Sequence, residues 1–288
     1  MAKSKNGGTR SFIRGRIGSD VYSVGKDGKG ARQQVVRSLA EQVANPRSSA
    51  QMFGRMVMST VMQAVSALKP IIDHSFDGVA TGQPSISEFI RRNYALVKAD
   101  AAAHPNGGNT FGLCKYQEKG IKGGQYIISN GSVQLPSAVS AATNFMNIVI
   151  DQKNMTVGGL KAALGLSADG YLTMVVIGDV GGASYARVRL TTTLPDSTAI
   201  TAENVASLFN IEANVDVTPT VYDKGVSFEL AHDGSFIDSG VIVSEKIAGA
   251  WQHNQCILSG ETDYDFNAKT ALPTYPTGAQ MFLNGGDL

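Results

Sequence analysis

Few residues have the types and spacing to do chemistry, and each also has a plain structural use. Val175-Val176-Ile177-Gly178-Asp179-Val180-Gly181-Gly182 reads as a strand running into glycines. Such a turn cradles a phosphate when a helix begins there. Here Ser184–Leu190 alternates with period two, so a second strand follows and a hairpin is predicted. His253 and Cys256 have the His-x-x-Cys spacing of half a zinc site. Zinc needs about four ligands, and neither Cys114 nor His74, His104 and His232 supplies a second pair. A Cys–His nucleophile has no local signature either. Carboxylates gather at Asp263-Tyr264-Asp265 and at Asp233/Asp238. Glycosidase-type catalysis uses two acids at a set separation, but Asp-Gly turns account for Asp169 and Asp233 without catalysis. No alternating acidic loop closes on a Glu as a calcium loop does. Trp251, the single tryptophan, reads as core or sheet packing. The expectation is a chain with no catalytic residues, no cofactor and no metal.

What remains is charge. Residues 1–60 hold eleven Lys/Arg and three acids, a net of +8. The whole chain carries +1, so the remainder carries −7. Arg14, Arg16, Arg32, Arg37 and Arg47 are the candidate contact residues of this basic arm. They suit phosphates, by neutralisation, or the acidic surface of another subunit. Phe12 and Tyr22 are the only aromatics in the arm, thin provision for stacking single-stranded bases. Charged residues make up 17% of the chain, against a usual ~25%. The shortfall fits either a surface covered by neighbours or a large internal core.

The elements that must carry these residues follow from periodicity. Residues 10–38 read as a β-hairpin, Val21–Val24 and Gln33–Arg37 flanking a turn at Gly25–Gly30. Residues 45–69 read as a helix, with Asn45 as N-cap, Pro46 in its first turn and Pro70 ending or bending it near Lys69. Its stripe is Phe53, Val57, Val61, Val65 and Leu68, widened by Met52, Met56, Met58 and Met62. A second helix at 86–103 starts on a Ser85/Glu88 capping box. From about residue 112 the period becomes two, with short strands and two small helices, Val157–Leu164 and Ala202–Phe209, the latter capped by Thr201. The fold class predicted is α+β: a β-hairpin arm (1–43), a helical hairpin (44–105), a β-rich sandwich or barrel-like body (106–260) and an extended tail (261–288). Cys114 and Cys256 imply no disulfide framework, and free buried thiols are expected. No signal-peptide stretch and no bilayer-length apolar run is visible, so cytoplasmic synthesis without a membrane partner is expected.

Gly15-Arg16-Ile17-Gly18, Val21-Tyr22-Ser23, Val35-Val36-Arg37-Ser38 and Asn45-Pro46-Arg47-Ser48, with Gln51 and Arg55, form an ordered set. The set resembles an N-terminal signature, G-K-x-G, V-x-Y, V-R-S, N-P-R-T-x-x-Q. That signature belongs to uncharacterised proteins of gut Bacteroidetes and their phages, and to phage structural-region proteins more widely. Ser48 stands where the signature has Thr. The likeness covers about the first 75 residues best. It implies a non-enzymatic virion component, capsid-associated or at the head–tail or tail, made in the bacterial cytoplasm and located in the virion. Its implied partners are other copies of itself and other virion proteins. The alternative is a nucleic-acid-binding protein that uses the basic arm.

Overall fold

A computed structural model describes residues 3–5, 12–26, 28, 31–38, 49–103, 111, 124–151, 153, 155–178, 183–232 and 236–260. The chain divides into two units, Met1–Arg47 and Ser48–Leu288. The first holds β1 (Lys3–Lys5), β2 (Phe12–Ile17), β3 (Asp20–Lys26) and β4 (Arg32–Ser38), one four-stranded antiparallel sheet in chain order. The expected hairpin is its β3–β4 half. The pairing of β2 with β3 extends it through a two-residue turn at Gly18-Ser19, where Gly18 takes φ +60°.

The second unit begins with α1 (Ser49–Ile72) and α2 (Gln83–Ala103). Then come β5 (Ile127–Ser129), β6 (Val139–Ala142), β7 (Phe145–Val149), α3 (Val157–Leu164), β8 (Tyr171–Gly178) and β9 (Ala183–Leu190). A short 3-10 turn (Val205–Leu208) leads into β10 (Phe209–Ala213), β11 (Val217–Tyr222), β12 (Gly225–Leu230) and β13 (Phe236–Ile247). The last strands are β14 (Ala250–His253), β15 (Cys256–Ile257) and β16 (Ser259–Gly260).

A strand that is apolar at every position needs cover on both faces, and β8 has it. Leu172, Met174 and Val176 point into one core, and Val175 and Ile177 into another. β8 lies at the centre of the large sheet, β10-β9-β8-β13-β14, with β16 also on β13. On one face α1 and α2 cover it with Val57, Val61, Leu68, Ile72, Phe89 and Val97. On the other, Met146, Ile148, Val226, Phe228 and Leu230 of the second sheet, β11-β12-β7-β6, close a sandwich. β15 and β5 form a small separate pair. Every strand ladder among the described residues is antiparallel, and none of these sheets closes into a barrel. The α+β class with a helical pair and a sandwich body therefore stands, in the order helices, large sheet, small sheet.

Local rules held where tertiary packing agreed with them. α3 starts on Thr156, whose Oγ1 accepts from Gly159 N at 3.2 Å. It ends on Gly165 at φ +61°, whose N–H returns to Lys161 O. Three expectations need correction. Pro70 does not end α1, which runs on to Ile72 because burying Ile71 and Ile72 outweighs one missing backbone donor in the last turn. Ser85 does not cap α2, for it is buried inside that helix and its Oγ donates to Ala80 O at 2.9 Å. Glu88 turns instead to Arg91 and Arg92, at 2.6 and 2.8 Å. Thr201 does not cap a helix either. Its N–H donates to Asn204 Oδ1 at 2.9 Å, and only one 3-10 turn follows. The methionines divide: Met52 and Met56 are core, while Met58 and Met62 are exposed. The Asn45 cap, Pro46 and the 261–288 tail lie outside the described residues.

Polar side chains tie the layers together. Asn93 of α2 is 0% exposed. Its Oδ1 accepts from Ile127 N at 2.8 Å and its Nδ2 donates to Ile127 O at 3.0 Å, so it clamps both backbone groups of one β5 residue. Asp77 accepts from His253 N at 2.6 Å and Ser132 N at 3.1 Å, fastening the turn after α1 to β14.

Candidate assembly interface

In an antiparallel ladder, directly opposite residues share a face. Arg16 is opposite Val21, and Val21 is opposite Arg37. Arg16 and Arg37, 21 residues apart in sequence, thus stand in one row across β2, β3 and β4. Their face also carries Ser23, Gln33 and Val35 and no described acid. Arg14 pairs with Lys3 in the β1–β2 register. Arg32 is opposite Lys26 and belongs to the other face. That face is mixed: Ile17, Tyr22, Val24 and Val36 form an apolar strip, with Asp20 and Ser38 at the turn end and Gln34, Lys26 and Arg32 toward the other. Arg47 lies outside the described residues. Three of the five predicted contact residues thus have described side chains, and Arg16 and Arg37 alone of those three are brought together.

The exposure of this sheet is its distinguishing property. Every described residue of β4 is exposed, and none of the described residues from 15 to 38 is buried. Ile17 is 49%, Val36 51% and Val35 37% exposed. Ordering a residue costs roughly 1–2 kcal/mol of backbone entropy, which sheets recover by burying one face. Neither face is buried over the described residues 15–38. β4 has a strand neighbour, β3, on one side only.

The second unit contains groupings that look catalytic in outline. Ser244 Oγ lies 3.0 Å from His253 Nδ1. Both residues are buried, at 1% and 3% exposure. Asp77 is engaged by the His253 backbone N–H rather than by its ring. A base oriented by a third group and a nucleophile open to substrate are both needed for acyl transfer, and neither condition is met. Burial lowers the His253 pKa, with Asp77 opposing and His74 adding to the shift, which favours a neutral ring. Asp238 is buried on β13, and its Oδ2 accepts from Gly124 N at 2.7 Å. Burial raises its pKa to about 6 against the lowering effect of that bond. Asp179, Asp233, Asp263, Asp265 and Cys114 lie outside the described residues. Among the described residues no three His, Cys, Asp or Glu side chains gather to hold a metal. No helix among the described residues is long and apolar enough to cross a membrane.

Cys256 is buried, and loss of hydration raises its thiol pKa to about 12. The thiolate is the reactive form. In a Cys114→Ser background, iodoacetamide at about pH 8 is therefore expected to leave Cys256 unmodified in the folded chain and to alkylate it in denaturant. Labelling by mass spectrometry at equal rates in both states would refute this.

No protein-family model, curated protein or solved structure matches this chain.

Proposed function

We propose that this chain is a non-catalytic assembly subunit, of the kind that builds bacteriophage virions, and that its N-terminal sheet is the docking element. The observation that carries the reading is a four-stranded sheet with none of its described residues from 15 to 38 buried. One of its faces carries an apolar strip, Ile17, Tyr22, Val24 and Val36, beside Lys26 and Arg32, and the other carries the Arg16–Arg37 row. Such a sheet gains its missing core from a partner. The partner we infer is a second copy of the chain. Residues 1–60 carry +8 and the remainder −7, so one copy's front end is matched in charge by another's body. Ile17, Tyr22, Val24 and Val36 supply the apolar contact, and Arg16 and Arg37 steer the approach.

Light scattering after size exclusion tests this on the full chain and on a chain lacking residues 1–47. The full chain is expected to run as an oligomer. The shortened chain is expected to run as a monomer whose circular dichroism keeps the second unit's signature. A full chain that stays monomeric at roughly 10² μM, well above the ~10 μM scale of ordinary specific pairing, overturns the reading. The Arg16–Arg37 row also favours a second reading, contact with a nucleic-acid backbone. Its mark is duplex binding at low salt that falls steeply as salt rises and is lost with residues 1–47.

A further inference from the structure

We propose that an open pocket on the large sheet, walled by Trp251, Tyr171 and Arg189, binds an acidic sugar: a pyranose ring bearing one carboxylate. The pocket lies wholly in the second unit and is independent of the docking sheet.

The fold exposes it for a definite reason. Tyr171, Arg187 and Arg189 have the parity of Val175 and Ile177, the positions of β8 and β9 that α1 and α2 cover. α1 stops at Ile72, and Arg187 Nη2 donates to Pro70 O at its end. The helical cover runs out at that row, and the next row of the sheet is open. Across it stand Asn210 opposite Arg189 on β10 and β9, then Tyr171 on β8. Trp251 of β14 meets Tyr171 edge to face, ring centroids 5.4 Å apart at 61°. The resulting cavity measures about 400 Å³, within the ~300–1,000 Å³ range of small-ligand sites.

Its chemistry is uneven in an informative way. Arg187 is already committed, to Glu212 at 2.9 Å and to Pro70 O. Arg189 has no carboxylate or hydrogen-bond partner among the described residues, and only the Tyr171 ring, 5.7 Å from its Cζ, faces it. It is half-buried all the same. A guanidinium held there, with its fork of donors unused, matches one carboxylate. Trp251 is 39% exposed, and its indole face offers a flat apolar wall. A pyranose ring has one apolar face to set against that wall and hydroxyls around its rim. Asn210 offers both donors and an acceptor, and Glu212 offers acceptors, for such hydroxyls. Glu212 also discriminates: a dianionic phosphate brings a second negative charge toward it, whereas a single carboxylate is neutralised by Arg189. These features favour an acidic sugar over a nucleotide, although both carry a ring and an anion.

Trp251 is the chain's only tryptophan, so intrinsic fluorescence reads this pocket alone. The full chain is titrated with digalacturonic acid, with the neutral galactose disaccharide and with adenosine monophosphate. The acidic disaccharide is expected to shift the emission saturably, and the neutral one to bind at least about tenfold more weakly. Arg189→Ala is expected to lower affinity about tenfold or more, the loss of one charge-assisted contact. Arg189→Lys, which keeps charge but not the fork, is expected to fall between. Circular dichroism verifies that both variants are folded, and the lysine variant carries the test if the alanine one is not. No saturable shift with digalacturonic acid, equal affinity for the neutral sugar, tighter binding of the nucleotide, or an Arg189→Ala variant that binds normally each overturns the proposal.

Discussion

Replacing Gly225 by alanine is expected to cost more than about 4 kcal/mol, the range reached only by a severe local conflict. Gly225 opens β12 at φ +148°, a conformation that side chains of L-residues rarely take. A Cβ there would sit 1.9 Å from Ile148 O and 3.0 Å from its carbonyl carbon. The obstacle is backbone, so no rotamer change relieves it. β12 would have to move away from β7, its ladder partner from Gly225↔Val149 to Glu229↔Phe145. Val226, Phe228 and Leu230 ride on β12 into the sandwich core, so the displacement opens that core. Gly165 provides the control. It also has positive φ, +61°, but nothing lies within 4 Å of its would-be Cβ. Gly165→Ala therefore bears only the conformational penalty, about 1 kcal/mol. At 2–4 °C per kcal/mol for a unit of this size, thermal melts should separate the variants by about 6 °C or more. Equal melting temperatures would show that β7 gives way easily and would refute the close approach.

That contrast also marks what a sequence exposes and what it hides. Legible features were those set by one segment's own chemistry. α3 was readable because Thr156, the Leu160 and Leu164 face and Gly165 lie within ten residues. The burial of β8 on both faces is legible because Leu172–Ile177 has no polar face to turn outward, Thr173 being its one polar residue. The Ser85 capping box failed because Ser-x-x-Glu is a local pattern, and burial of Ser85 against the turn after α1 overrode it. Pro70 misled for the same reason: its local penalty is real but small beside two buried isoleucines. Trp251 was read as core or sheet packing; it packs on Tyr171 across the sheet but stays partly exposed. Least legible were juxtapositions set by register. Arg16 and Arg37 share a row only because Gly18-Ser19 makes a two-residue turn between β2 and β3. That turn is a readable signal in retrospect, glycine followed by a polar residue between two strand-like runs. Tyr171, Arg189 and Trp251 span 81 positions, and no spacing rule joins them.

The two units divide the physical work. In Ser48–Leu288, each β8 side chain has a destination, and polar groups such as the buried Asn93 and the half-buried Asp77 are matched to backbone partners. Stability there is internal. In Met1–Arg47 the sheet has ladders but none of its described residues from 15 to 38 is buried, so cohesion there rests on backbone hydrogen bonds and cross-strand pairs, each worth only tenths to about 1 kcal/mol net. This asymmetry is what makes docking the natural reading of the first unit and ligand binding a question for the second.

Asp238 makes the second unit's stability depend on pH in the opposite sense to an ion-paired carboxylate. Its folded pKa is about 6 because burial disfavours the charged form, more than the Gly124 N–H stabilises it. An unfolded aspartate titrates near 3.9. Below about pH 4 both states hold the proton, and the group contributes no slope. Between about pH 4 and pH 6 the folded chain keeps a proton the unfolded chain has lost, so stability falls as pH rises. Above about pH 6 both are ionised and the full cost is present, about 3 kcal/mol for a shift of this size. Asp238→Asn removes the charge while its amide oxygen still accepts from Gly124. The variant is expected to gain about 2–3 kcal/mol over the parent at neutral pH and nothing at about pH 4. Urea denaturation of both chains at about pH 4, 5 and 7 reads the difference directly. Parallel curves across that range would mean that Asp238 is hydrated or charge-paired in the folded chain, and the buried-carboxylate account would fail. A converging pair would instead identify one acid as the reason this unit is most secure in mildly acidic solution.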